Sequence, residues 1–271
     1  MKILSKSYTG LIFLFMYAPI IIMITLSFNN SKSRSVWGGF TLDWYAKLFR
    51  NEEILNSLKN TLIVASIAAV VATVIGTMAA IGIYSMKKRP RTIVMNITNI
   101  PMVNPEIVTG VSLNLLFVAV FSVLKIAGFE ATLGLPSLTI AHITFNIPYV
   151  ILSVMPKLRQ MNKHSYEAAL DLGCKPFRAF RKVVLPEIMP GIMTGLLMAF
   201  TLSIDDFVIS YFCSGPTAQT LSVYIYSMTK RKIPPTVNAL SAVMFVVVLA
   251  LLLIVNVRQM RDINKNKPEK V

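Results

Sequence analysis

The chain has 271 residues, of which 55% are hydrophobic and 14% are charged, whereas a soluble domain carries charge at about a quarter of its positions. Its apolar residues lie in long runs and its mean hydropathy is +0.64, which excludes an ordinary water-soluble enzyme and indicates an all-α membrane protein. The net charge of +15 comes largely from Lys and Arg beside the ends of these runs, so we expect a lipid bilayer as the partner and no nucleic acid.

The apolar runs predict six transmembrane helices, because about 20 apolar residues cross a bilayer as a helix. In chain order, the predicted spans are 11–28, 61–84, 93–124, 135–155, 188–212 and 237–257. The first span is longer than the apolar part of a secretory signal, and no small-residue cleavage site follows it. We therefore expect it to be retained as a helix.

The third span is too long for one straight crossing. At 1.5 Å per residue it would reach about 48 Å, against a hydrocarbon core of about 30 Å. It contains Pro101, Asn104 and Pro105, with Glu106 directly after them. Because proline removes a helical N–H, we expect a kink or a break at this point.

The basic residues predict the orientation of the chain in the membrane. An even number of spans puts both termini on one side, and 18 of the 27 Lys and Arg residues lie on that side. They occupy the N-terminus, the cluster 87–91, the segment 157–182 and the tail from Arg258 onward. The positive-inside rule therefore places both termini and the segment 157–186 in the cytoplasm.

The sequence carries no motif for chemistry of its own. It has no phosphate-binding loop, esterase elbow or zinc-protease pair, so we expect no enzyme activity and an energy source in another chain or an ion gradient. Cys174 and Cys213 fall on opposite sides in this topology, and His142 and His164 lack metal-ligand spacing. No thiol chemistry and no metal are expected.

The cytoplasmic segment 157–186 has a helical pattern. Its small and apolar positions are spaced 3, 4, 3 and 4, which predicts one helical stripe: Leu158, Met161, Ser165, Ala168 and Leu172. Gly173 suits the left-handed end of that helix, Pro176 suits the start of a second helix, and Pro186 is expected to end it. On periodicity alone, the helix–turn–helix could also be an amphipathic element that lies on anionic lipid.

The residue pattern of this segment resembles a family motif. Glu167-Ala168-Ala169, then Gly173, then Val183-Val184-Leu185-Pro186 is similar to the EAA motif of the permease subunits of ABC importers. Most members have Ile where this chain has Val183, which keeps the branched apolar shape. The motif between the fourth and fifth of six spans is the arrangement of type I importer permeases, which implies a single permease domain over 1–271 with a coupling loop at 157–186.

The resemblance extends to the spermidine/putrescine branch of this family over nearly the whole chain. It is carried by SFN at 27–29, HITFNIPYV at 142–150, FTLSIDDFVIS at 200–210 and IYSM at 225–228. It implies a bacterial cell-membrane protein with a second permease resembling PotB, an ATPase dimer resembling PotA and a binding protein resembling PotD. ATP and Mg would be held by the ATPase, and no cofactor by this chain. The EAA residues Glu167, Ala168, Ala169, Gly173, Leu185 and Pro186 would dock in a groove of the ATPase.

Three carboxylates lie within the predicted spans, namely Glu106, Asp205 and Asp206. Each costs about 2.5–3.5 kcal/mol at the centre of a membrane helix, which favours a functional role. Polyamines are cationic at neutral pH, and carboxylates would replace part of their lost hydration. The aromatic rings of Phe207 and Tyr211 could add cation–π attraction, so we predict that these five residues line a substrate pathway.

Alternatives remain for the acids and for the cargo. Asp205 and Asp206 point about 100° apart on a helix, so one of them could cap a broken helix or pair with a partner chain. Glu106 follows Pro105 and could simply occupy the first turn of a helix, where the dipole favours an acid. The cargo could be another small solute (sulfate, iron, phosphate), or the acids could carry protons or cations in a secondary transporter or channel. That last function predicts inverted repeats, which the sequence does not show.

Overall fold

The computed structural model describes residues 2–31, 33, 35–128, 130, 132–230 and 234–265. Apart from one isolated bridge between Asn29 and Phe40, the regular structure of these residues is helical. The helices are α1 Lys2–Ser27, α2 Asp43–Arg50, α3 Glu52–Ser85, α4 Lys88–Val103, α5 Glu106–Ile126, α6 Leu135–Gln160, α7 Lys163–Asp171, α8 Pro176–Ala179, α9 Leu185–Asp205, α10 Val208–Cys213, α11 Leu221–Thr229 and α12 Pro235–Lys265. A π-helical turn, Phe180–Val184, joins α8 to α9.

Five helical stretches of the described chain are long and apolar enough to cross a membrane. They are Ser7–Ser27, Glu52–Ser85, Glu106–Ile126, Leu135–Gln160 and Pro176–Asp205. The last predicted span, 237–257, falls in α12, where the apolar stretch over described side chains is the shorter Pro235–Ala250. The architecture is therefore that of an all-helical membrane protein.

The chain divides into two compact units. One consists of the described residues of Met1–Asn56 and Tyr224–Val271, in which α1 and α2 pack against α12. The loop after α1 is organised by Asn29, whose side-chain oxygen accepts hydrogen bonds from the backbone N–H groups of Ser31 at 3.1 Å and Gly38 at 2.8 Å. The Trp44 indole donates to the Asn29 carbonyl at 2.8 Å, so Asn29 holds Ser31, Gly38 and Trp44 together.

The other unit is Ser57–Val223, and its centre is the contact between α6 and α9. Small residues let the two backbones approach closely. A Cβ atom on Gly191 would lie 2.9 Å from the carbonyl oxygen of Ser153, and one on Gly195 would lie 3.3 Å from the Cα of Val150. The core here is formed by buried apolar side chains including Val150, Val154, Leu158 and Ile188.

The predicted third span is broken where the sequence predicts it. α4 ends at Val103 and α5 begins at Glu106, with Asn104 in an extended conformation (ψ 138°) between them. Pro105 explains the break, since a proline disfavours the helical conformation of the residue before it and has no N–H to continue the ladder.

The predicted fifth span, 188–212, is not one helix. α9 ends at Asp205, and α10 begins at Val208 after Asp206 turns the backbone to ψ 125°. No proline lies at this break. Its cause is the Asp206 side chain, which accepts backbone hydrogen bonds from the first turn of α10 and so competes with helix continuation.

Two predictions for the segment 157–186 are wrong. The stripe from Leu158 to Leu172 is not on one helix, because α6 ends at Gln160 and the side chain of Asn162 caps α7 by accepting from the N–H of His164. Pro186 does not end the second helix but lies in the first turn of α9. The wider π turn before it, closed by the Leu185 N–H on the Phe180 carbonyl, accommodates the proline ring without ending the helix.

Candidate functional site

The two helix breaks lie side by side. A Cβ atom on Gly110 of α5 would lie 3.1 Å from the Phe212 ring and 3.5 Å from the Val208 carbonyl oxygen of α10. One turn further along α5, the Asn114 amide donates to the carbonyl of Phe212. The two helices therefore run parallel, with the start of α10 beside Gly110 and the start of α5 about one turn earlier, level with the end of α9. This register brings Glu106 and the acidic pair to the same level of the unit.

Asp206 is the structural member of the acidic pair. Its side chain is 4% exposed, and its two carboxylate oxygens accept from the backbone N–H groups of Ile209 at 3.3 Å and Ser210 at 2.7 Å. His142 Nε2 of α6 lies 3.6 Å from Asp206 Oδ2 and 3.2 Å from the Ser210 hydroxyl. Asp206 therefore caps α10 and joins it to α6.

Asp205 and Glu106 are both exposed. Asp205 is the last residue of α9, and Glu106 occupies the first turn of α5, where the helix dipole favours a negative charge. These two carboxylates, unlike that of Asp206, have exposed side chains that a cationic solute could reach.

Aromatic rings flank the break between α9 and α10. The rings of Phe207 and Tyr211 are tilted against each other with their centroids 5.5 Å apart, and Tyr211 also meets Phe212 edge-on at 5.4 Å. Tyr211 is 46% exposed, so it presents part of its ring outside the packed core. Over the described part of the chain, no group of three or more His, Cys, Asp or Glu residues could hold a metal ion.

A ladder of buried polar residues supports the breaks, and the sequence reasoning did not assign it. The Asn146 amide donates to the Ser203 hydroxyl at 2.7 Å, and the Ser137 hydroxyl donates to the Cys213 carbonyl at 3.0 Å. With His142, these residues place polar contacts along the face of α6 that meets α9 and α10. The sequence pattern that could have predicted this ladder is the helical spacing of polar side chains within an apolar span.

The segment that carries the EAA residues has a defined turn. Gly173 has φ +80°, which confirms the left-handed end after α7, and Pro176 starts α8 as predicted. The Glu167 side chain lies near a histidine, with His164 Nδ1 3.4 Å from Glu167 Oε2. Of the other residues of the motif, Ala168 and Pro186 are exposed, and Ala169 and Leu185 are partly buried. Leu172 and Phe177 are 86% and 77% exposed, so the segment presents an apolar surface that its own unit does not cover.

Residues 72–261 match the family described as "Binding-protein-dependent transport system inner membrane component", which is well over half of the chain. The chain belongs to this family. It is therefore a multi-pass inner-membrane protein and a component of a transport system rather than an enzyme. It resembles the permease subunits of type I ABC importers.

Similar proteins refine this assignment. The chain is 36% identical over 251 residues to the spermidine/putrescine transport system permease protein PotC of Haemophilus influenzae, covering 93% of this chain and 94% of the relative. It is 38% identical over 230 residues to the putrescine transport system permease protein PotI of Escherichia coli K12, covering 84% and 81%. A chain of a bacterial ABC transporter involved in the import of the acidic polysaccharide alginate has the same fold, with a TM-score of 0.72, 20% identity and coverage of 96% and 95%.

Proposed function

We propose that this chain is the permease subunit of an ATP-driven importer and that it forms, with a second permease, the translocation pathway for spermidine or putrescine. Its similarity to PotC and PotI over most of its length supports this cargo. In this proposal an ATPase dimer binds and hydrolyses ATP with Mg, and a separate binding protein delivers the polyamine. The whole chain acts as one permease domain with six spans and both termini in the cytoplasm.

The observation that carries the proposal is the pair of helix breaks with exposed carboxylates. Non-helical backbone at membrane depth is tolerated only where it is buried in protein or lines a water-filled cavity. Exposed Glu106 and Asp205 beside two such breaks fit a cavity for a cation, because a carboxylate facing lipid would be costly. Tyr211 and Phe207 add ring faces at the same level, where an ammonium group gains cation–π attraction.

The charge of the predicted spans favours a cationic cargo over an anionic one. The six spans contain Glu106, Asp205 and Asp206 but no Lys or Arg. Sulfate or phosphate would meet these carboxylates without a compensating cation from this chain, and like charges at short range repel strongly where the dielectric is low.

We further propose that the segment 157–186 couples the permease to the ATPase. Its exposed apolar side chains Leu172 and Phe177 require a covering partner, and the EAA residues Glu167, Ala168 and Ala169 precede the Gly173 turn that presents them. The π turn and Pro186 then continue directly into α9. Force on this segment would therefore reach the break at Asp205 through one continuous helical path.

The test is purification of the chain with its associated subunits, followed by a cargo panel in lipid vesicles. The expected result is a complex that contains an ATPase and a second permease and that accumulates labelled spermidine or putrescine only with ATP. A lone homo-oligomer that moves polyamines without ATP, or a complex that accumulates sulfate and not polyamines, would contradict the proposal.

A further inference from the structure

An open hollow lies on α4, before the break that precedes Glu106. It has a volume of about 400 Å³, within the size range of small-molecule sites. Its lining comprises three asparagines and two apolar residues: Asn96, Asn99, Ile100, Val103 and Asn104. Positions 96, 99, 100 and 103 form one stripe of the helix, and Asn104 is the residue after its last turn.

Asn99 is the unusual member of this hollow. Its side-chain oxygen is shielded from solvent and accepts no hydrogen bond from any residue that the structure describes. An unpaired buried acceptor costs about 1–3 kcal/mol, and this oxygen can accept a hydrogen bond that the described residues do not supply. In the same helix the Thr98 hydroxyl is bonded to the Val94 carbonyl at 2.9 Å, which shows the usual way in which such a group is satisfied.

The hollow is at the depth of the membrane interior. From Lys88, in the basic cluster at the start of α4, to Asn99 is about 16 Å of helix, and to Asn104 about 24 Å. A hydrocarbon core is about 30 Å thick. The amides of Asn99 and Asn104 are therefore at or beyond the middle of the bilayer and that of Asn96 is just short of it, all on the side of the Glu106 level that faces the basic cluster.

Amide oxygens suit an ammonium group that must be held briefly. They accept hydrogen bonds from an NH₃⁺ group without a full negative charge, so they bind it more weakly than a carboxylate does. A linear polyamine carries ammonium groups at intervals along its chain. One end could contact the Asn99 level while the other is still at Glu106 and Asp205.

We propose that the hollow of Asn96, Asn99 and Asn104 is a second, weaker ammonium-binding subsite, which receives a polyamine from the carboxylates and releases it toward the basic side of the membrane. This inference rests on the proposed polyamine transport. It assigns the three asparagines to the pathway, whereas a packing role would have them bond a helix of the second permease.

The test compares Asn99→Leu, Asn99→Gln and the control Thr98→Val in the assembled complex. Leu removes the acceptor with little change in size, Gln keeps an amide, and Thr98→Val removes a polar group that is already bonded within the helix. Uptake of labelled spermidine should fall about tenfold in Asn99→Leu, because a hydrogen bond to a charged group is lost. It should recover severalfold in Asn99→Gln and be unchanged in Thr98→Val, with the second permease and the ATPase co-eluting in every case.

Two results would overturn the subsite. Wild-type uptake by Asn99→Leu would show that the acceptor is not used, and loss of the second permease from that variant would assign Asn99 to the subunit interface. Failure of the proposed function would give a different result. The wild-type complex and all the variants at position 99 would then take up no spermidine.

Discussion

At the scale of single residues, two adjacent aspartates have different environments. Asp206 is buried, caps α10 and contacts His142, whereas Asp205 is exposed at the end of α9. The same chemical group is thus a structural cap at one position and an accessible negative charge at the next. Neutralising the two should therefore change different measurable properties.

Replacing Asp206 by Ala should destabilise the complex, because the first turn of α10 loses its cap at a cost of about 0.5–2 kcal/mol. Asp206→Asn keeps an oxygen acceptor and should lose less. The measurement is the melting temperature of the purified complex in detergent. An Asp206→Ala complex as stable as the wild type would contradict the capping role.

Asp205→Asn should leave that melting temperature unchanged and lower polyamine uptake. Among the residues that the structure describes, none forms a hydrogen bond or an ion pair with this exposed carboxylate, so its charge matters chiefly to a passing cation. Transport assays at several spermidine concentrations measure the effect, and we expect a reduction of about tenfold. A stability loss without a specific uptake loss would reverse the roles of the two residues.

The sequence indicates the acids but not their separate roles. Carboxylates in the middle of a membrane span are recognisable because they are costly there. Glu106, Asp205 and Asp206 can therefore be found from their positions within the apolar runs of the sequence. The break after Asp205 decides which aspartate caps α10 and which is exposed. No proline lies at this break, so the sequence does not predict it. His142 and Ser210, which complete the contact, are 68 residues apart in sequence, so only the packing of α6 on α10 brings them together.

At the scale of helices, the contact between α6 and α9 depends on glycine. We expect Gly191→Ala to destabilise the permease by about 1–3 kcal/mol, because the added methyl meets the Ser153 carbonyl oxygen at 2.9 Å. Gly82→Ala in α3 is the matched control, since nothing lies within 4 Å of its Cβ position and alanine favours a helix. Detergent melting curves compare the two variants. Equal stability in both would show that the contact between α6 and α9 accommodates the added methyl group without cost.

The turn at Gly173 gives a second prediction for an element. A non-glycine residue at φ +80° costs about 1–2 kcal/mol, while the open space around this glycine rules out a steric clash. Gly173→Ala should therefore lower ATP-dependent uptake severalfold, and Gly173→Asn should lower it less, since asparagine tolerates this conformation. Unchanged uptake and ATP turnover in Gly173→Ala would show that the turn is not needed for coupling.

The helices of this segment also show where periodicity misleads. Spacing alone joined Leu158 to Leu172, but the Asn162 cap separates α6 from α7. Proline normally ends a helix, yet Pro186 is carried through by the π turn before it. Local patterns predicted the Gly173 turn and the Pro105 break correctly, because there the backbone preference of one residue decides the outcome.

At the scale of the whole molecule, α4, α5 and the segment 157–186 have exposed surfaces that partner proteins could cover. α4 buries none of its residues, and α5 buries few, although both carry residues of the proposed pathway. In the proposed complex, a second permease would enclose the space beside Glu106 and Asp205, and an ATPase would cover Leu172 and Phe177. The coupling segment and the cargo site are then two ends of one helical path through α9.

The central claim is that the carboxylates beside the two helix breaks admit a polyamine, and uptake by a doubly neutralised permease tests it most directly. The measurement is ATP-dependent accumulation of labelled spermidine in vesicles that contain the assembled complex, with the wild type compared with Glu106→Gln/Asp205→Asn. We expect accumulation by the wild type and at least a tenfold reduction in the double variant, with the same subunits bound. Accumulation at the wild-type rate by the double variant would contradict the claim.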